Sequence, residues 1–201
     1  MKKTSLTRYL ALAALLALIV IAQTSRAQIG SGWSSLSLDK SHDFDGGSYS
    51  ETSGVETFKL PASGHREEIR LKPDYGDGQR QFQGDVKVTG QVRSSGASIT
   101  QVYQHGIGLE HQTRINPSGQ MYTLPGHDPL ASNIFGVWIR VNVIHSIPSQ
   151  NVKTYINGSW KSTQTYVDEG STYMTKYGIY LEPDSGTTTV QWKSIHLWHK
   201  S

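Results

Sequence analysis

The chain contains no cysteine. That excludes disulfide staples, thiolate metal sites and a thiol nucleophile, and leaves packing to hold the fold. Beyond residue 27 no segment shows the 3.6-residue periodicity of an amphipathic helix. No repeat of fixed period stands out. There is no glycine-rich phosphate loop and no serine-nucleophile elbow. No pair of carboxylates falls on one strand in a way that suggests a glycoside hydrolase. Charged residues make up only 17% of the chain. Long apolar runs are also missing, with one exception at the N-terminus.

That exception is Leu10 to Ala22, preceded by Lys2, Lys3 and Arg8 and followed by Ser25-Arg26-Ala27. A basic start, an apolar stretch and small residues before a cut predict a secretory signal peptide over residues 1–27. The run falls short of the about 20 residues that span a bilayer, which disfavours the alternative of an uncleaved anchor. The segment carries four basic residues and no acid, so its removal turns the formal charge of +3 into −1. The basic character therefore belongs to the precursor. It does not support a nucleic-acid partner, and after cleavage no membrane partner is expected. The expected location is secreted or periplasmic.

Residues 28–201 are enough for one domain with its own core. Residues 28–55 are rich in Ser, Gly and Asp and predict an irregular N-terminal segment with room for one short strand. Asp43-Phe44-Asp45-Gly46-Gly47 lacks the further ligands of a calcium loop and reads as a turn. Residues 56–201 carry short runs of β-formers separated by turn signals. Among them are Glu67 to Leu71, Trp138 to Ile144 and Val190 to Trp198, and Val152 to Ile156 ends at the hairpin pair Asn157-Gly158. This pattern predicts an all-β sandwich or barrel, expected to be monomeric.

Side chains alternate between the two faces of a strand. In Arg66-Glu67-Glu68-Ile69-Arg70, Arg66, Glu68 and Arg70 share one face while Ile69 and Leu71 point to the other. Gln101 and Tyr103 share a face, joined by His105 if the strand runs that far. Arg140 and Asn142 stand opposite Ile139, Val141 and Val143. Lys176 and Tyr180 stand opposite Tyr177, Ile179 and Leu181. Such faces are often no more than solvated outer surfaces. Here they favour Arg, Gln, Asn and Tyr, the groups that hydrogen-bond hydroxyls and carboxylates.

These segments resemble the alginate lyase family built on a β-jelly roll, polysaccharide lyase family seven. That family carries an Arg-x-Glu-x-Arg strand, a Gln-Ile-His strand and a Tyr-x-Lys-x-Gly-x-Tyr-x-Gln strand. Residues 66–70 fit the first, and Lys176-Tyr177-Gly178-Ile179-Tyr180 fits the centre of the third. The flanks of the third depart, with Met174 at its first tyrosine and Glu182 at its final glutamine. The second departs more: Gln101-Val102-Tyr103 puts Tyr103 where the family has histidine. Residues 138–145 and 152–158 look closer to a sister branch that includes plant citrate-binding proteins, which share the jelly roll.

The resemblance implies a jelly-roll sandwich of two antiparallel sheets with a concave polar face. It implies a lyase that removes the proton beside a uronate carboxylate and expels the glycosidic oxygen, with no cofactor and no metal. It assigns Arg66 and Gln101 to neutralising the carboxylate and Tyr180 to base, acid or both, with Tyr103 completing the catalytic set. Glu68 would orient the arginines, and Arg70, Arg140, Asn142 and Lys176 would join it in binding substrate. Nearby cations would favour a phenolate on Tyr180. His105 or His145 would replace the missing histidine only if the fold brings one inward, and alternation places His145 on the core face. The expected partner is an acidic polysaccharide or oligosaccharide. The alternative is a non-catalytic binding protein for acidic sugars or small polycarboxylates on the same fold.

Overall fold

Apolar residues at every second position, broken by glycine-bearing turns, produce strands throughout the described part of the computed structural model, residues 29–170, 172–181 and 183–201. The expected leader, residues 1–27, lies outside them. Residues Gly32–Ser201 form one unit. Its strands in chain order are β1 (Ser34–Leu36), β2 (Asp39–Asp45), β3 (Ser48–Thr52), β4 (Val55–Pro61) and β5 (Arg66–Tyr75). There follow β6 (Gln79–Gly90), β7 (Ala97–Gln104), β8 (Gly108–Ile115), β9 (Met121–Leu124) and β10 (Pro129–Ala131). The chain ends with β11 (Ile139–Ser146), β12 (Asn151–Ile156), β13 (Ser159–Thr165), β14 (Tyr173–Tyr180) and β15 (Thr187–Lys200).

The strands pair antiparallel in two sheets. One runs β13-β12-β11-β6-β15-β4-β3, with β1 also on β15; the other runs β10-β9-β8-β7-β14-β5-β2. This is the expected jelly-roll sandwich. The segment 28–55 corrects one expectation: it is not irregular but supplies three strands, β1 to β3. Their Ser, Gly and Asp content hid them because none of their residues is fully buried, so no apolar alternation marks them; β2 and β3 are the edge strands of their sheets. The supposed turn at Asp43 is likewise the end of β2. Asn157 (φ 51°) and Gly158 (φ 80°) make the predicted tight turn between β12 and β13.

The core lies between the sheets. Phe82, Tyr177 and Trp192 are fully buried and meet at ring-centroid distances of 5.5 to 5.7 Å. Gly84 makes room for this cluster, since a Cβ there would stand 2.7 Å from the Trp192 ring. The Tyr177 hydroxyl donates to Glu56, and Lys40 pairs with the same carboxylate, so these buried polar atoms are satisfied. His145 is also core: Tyr75 and Tyr166 hydroxyls flank its two ring nitrogens at 2.7 and 2.6 Å. Burial, with the nearby His111, pushes it down to about 3. It is a packed, neutral imidazole and takes no part in an outer site.

Candidate functional site

Strand β5 sets the site. Ile69 and Leu71 face the core, so Arg66, Glu68 and Arg70 must face outward. Register carries the row across the sheet. Strand β14 places Tyr180 beside Arg66, Gly178 beside Glu68 and Lys176 beside Arg70. Strand β7 places Gln101 beside Lys176 and Tyr103 beside Met174, and β8 adds Gln112 beside Gln101. A pocket of about 410 Å³ results, walled by Arg66, Glu68, Gln101, Tyr103, Lys176 and Tyr180, with Gln112, Met174 and Leu109.

A glycine makes this possible. Gly178 (φ 133°) lies against β5, and a Cβ there would come 2.4 Å from the Glu67 carbonyl oxygen. With no side chain on that face of β14, the Gln101 amide reaches from β7 to donate to the Glu68 carboxylate on β5. Gln112 in turn donates to the Gln101 side-chain oxygen Oε1 at 3.2 Å.

The charges are uneven in depth. The Glu68 side chain is only 2% exposed, and Lys176 Nζ lies 3.9 Å from it. Burial pushes the Glu68 carboxyl up to about 7, against the pull of Lys176 and the Gln101 hydrogen bond. Lys176 is held more closely by Asp43 at 2.5 Å, and Arg66 donates to the same carboxylate at 3.3 Å. Burial alone would raise Asp43, but its hydrogen bonds and attraction to Lys176 and Arg66 outweigh that and hold it below the usual carboxylate range. The Arg66 guanidinium lies 5.5 Å from the Tyr180 ring centroid, and His65 meets the same ring edge-on at 5.1 Å.

The structure thus brings together Arg66, Glu68, Gln101, Tyr103, Lys176 and Tyr180. Arg70 shares their face but its guanidinium is engaged by Asp74 and His105 one rung further on. His105 is held there by Asp74 at 2.8 Å, away from the pocket. Arg140 and Asn142 do not join the site, contrary to expectation. They lie on β11 in the other sheet, where Arg140 pairs with Asp85 and Asn142 with Gln83. Alternation assigns a residue to a face of its strand, but not to one of two sheets. Three neighbours were missed: Asp43, Gln112 and His65. The alternation of Glu110, Gln112 and Arg114 along β8 offered a weak signal for Gln112. Asp43 and His65 reach the site only through the pairing of β2 with β5 and the turn before β5.

No family model matches the chain. A citrate-binding protein from Hevea brasiliensis is 32% identical over 138 residues, covering 66% of this chain and 56% of that protein. The chain therefore spans little more than half the length of this relative. Among solved structures, an alginate lyase of Pseudomonas aeruginosa superposes with a TM-score of 0.64 at 14% identity, covering 76% of this chain and 86% of that one. A family 7 alginate lyase solved in complex with substrate (GGMG) superposes with a TM-score of 0.60 at 17% identity, covering 75% and 80%. The chain shares the jelly-roll fold of these lyases and resembles the citrate-binding protein in sequence.

Proposed function

We propose that the pocket on the seven-stranded sheet binds a uronate-containing glycan and cleaves it by β-elimination. The observation that carries this reading is the meeting of Arg66, Gln101 and Lys176 with the Tyr180 phenol in one cavity. Arg66 and Gln101 offer donors to a sugar carboxylate, where charge builds as the neighbouring proton leaves. One such preorganised donor is worth about 10²–10³ in rate in other enzymes. Tyr180 takes that proton or returns one to the departing glycosidic oxygen. Glu68 holds Gln101 in place through the amide hydrogen bond. Export through the leader over residues 1–27 brings the protein to such polymers outside the cytoplasm.

A second reading has its own support. Tyr103 stands where the lyases' histidine is expected, and the relative from Hevea brasiliensis is a citrate-binding protein. On that reading the same cations hold a small polycarboxylate without turnover. One experiment separates the two. The protein is incubated with alginate, glucuronan and other polyuronates, and absorbance of the new double bond is followed, with calorimetry on the same ligands and on citrate. Unsaturated product that vanishes in Tyr180→Phe supports the lyase; tight binding without product supports the binder.

A further inference from the structure

We propose that the outer face of the larger sheet, on the opposite side of the sandwich from the pocket, is a docking surface for a long acidic polysaccharide, held by its uronate carboxylates. The identity of that occupant rests on the reading of the pocket as a uronate site. Alternation fixes the face. Phe58 and Leu60 on β4, Val86 and Val88 on β6, and Val190 and Trp192 on β15 are core, so Lys59, Lys87 and Lys193 point outward. Lys153 joins them from β12, between the buried Val152 and Thr154.

This face is one-sided in charge. Among the described residues at outward positions of the larger sheet's strands the only acid is Asp85, and Arg140 holds it at 2.9 Å. No described carboxylate pairs with Lys59, Lys87, Lys153 or Lys193. Residues 28–201 carry a formal charge of −1, so the excess of cations here is a matter of placement and not of composition.

Trp138 gathers two of the lysines. It precedes Ile139, which pairs with Val86, so its indole lies beside Lys87. Lys193 Nζ lies 4.3 Å and Lys87 Nζ 5.0 Å from its ring centroid. The ring attracts each ammonium. It also brings two like charges to within about 9 Å of each other, on the order of one Debye length in physiological salt, so they repel. An anion between them offsets that repulsion, and an ammonium resting on an indole keeps hydrogens turned away from the ring that can donate to it. Lys59 extends the patch. It pairs with Thr189, two strands across from β6 and one two-residue step beyond Lys87, roughly 12 Å away between backbones. Cations spread over a flat face in this way suit an extended chain that carries a carboxylate on each sugar. A bilayer calls for an apolar group projecting past the cations, whereas the Trp138 ring is half-buried among them.

The test is calorimetry with the polymer and the tetrasaccharide of alginate and of glucuronan, in a Tyr180→Phe background that leaves the polymer uncut. The tetrasaccharide reports the pocket, and the polymer supplies further segments for the outer face. Lys87→Gln combined with Lys193→Gln should lower polymer affinity roughly tenfold, the effect of two exposed ion pairs, and leave tetrasaccharide affinity unchanged. The difference should vanish near 1 M salt, where the screening length falls to about 3 Å. Should the double variant fail to fold, Lys59→Gln takes its place and should cost about threefold. Unchanged polymer affinity, or an equal loss on the tetrasaccharide, overturns the outer face and leaves the pocket standing. Vesicles of phosphatidylglycerol are the control: vesicle binding that the lysine variants abolish while polymer affinity holds makes the partner a membrane and overturns the proposal. Polymer binding that the lysine variants weaken, with no tetrasaccharide binding, supports the outer face and overturns the pocket. No binding of either ligand overturns both.

Discussion

Glu68 and Gln101 hydrogen-bond to each other from strands that are not neighbours, across the bare backbone of Gly178. The pair ties β5 to β7 over β14 and fixes the floor of the pocket. Everything the pocket offers a ligand is placed relative to that link.

Gly178→Ala should therefore damage both fold and site. The added methyl meets the Glu67 carbonyl oxygen at 2.4 Å and the Glu68 Cα at 2.8 Å, at a backbone angle that side chains disfavour. Strain of this kind costs about 1–3 kcal/mol. Chemical denaturation should show that loss, and ligand affinity should fall further than in a variant equally destabilised elsewhere, such as Ile139→Val.

Glu68 makes stability fall with rising pH. Its folded value, about 7, lies above the ordinary 4.5. Its contribution is complete below about 4.5 and is lost as pH climbs through 7. The shift corresponds to roughly 3 kcal/mol at its full extent. Glu68→Gln should remove that part of the slope between pH 4.5 and 7, while the opposite slope from Asp43 remains at lower pH. Equilibrium unfolding at several pH values in wild type and variant checks this; parallel curves would show that Glu68 is not the titrating group.

The same carboxyl should tune ligand binding. A uronate brought against Glu68 is repelled once Glu68 ionises, so affinity should weaken as pH passes about 7. In Glu68→Gln that pH dependence should flatten. Calorimetry on either side of pH 7 measures it.

Arg66 and Arg140 offer a contrast within one residue type. Arg66→Ala should weaken binding of an acidic ligand by about 1.5–3 kcal/mol, the range for a hydrogen bond to a charged group. Arg140→Ala should leave binding unchanged, because Arg140 pairs with Asp85 on the other sheet. Equal losses in the two would disprove the location of the site.

The alternation along residues 66–71 and 176–181 was legible because each strand has one mainly apolar face, Ile69 and Leu71 beside the buried Glu67 in the first and Tyr177 and Ile179 in the second. Those faces fixed which side chains look outward. Nothing local says which sheet β11 belongs to, so Arg140 and Asn142 were placed in the wrong trough. Asp43 was read as part of a turn because its neighbours are Asp and Gly; only β2 lying against β5 shows it beside Arg66 and Lys176.

Strand β15, residues 187–200, lies between β6 and β4 in the middle of the larger sheet. A growing chain has both flanking strands long before it has the one that joins them. The two halves of the sheet meet only when residues 187–200 insert between them. Deleting β15 therefore leaves β4 and β6 with unpaired edges instead of a shortened sandwich.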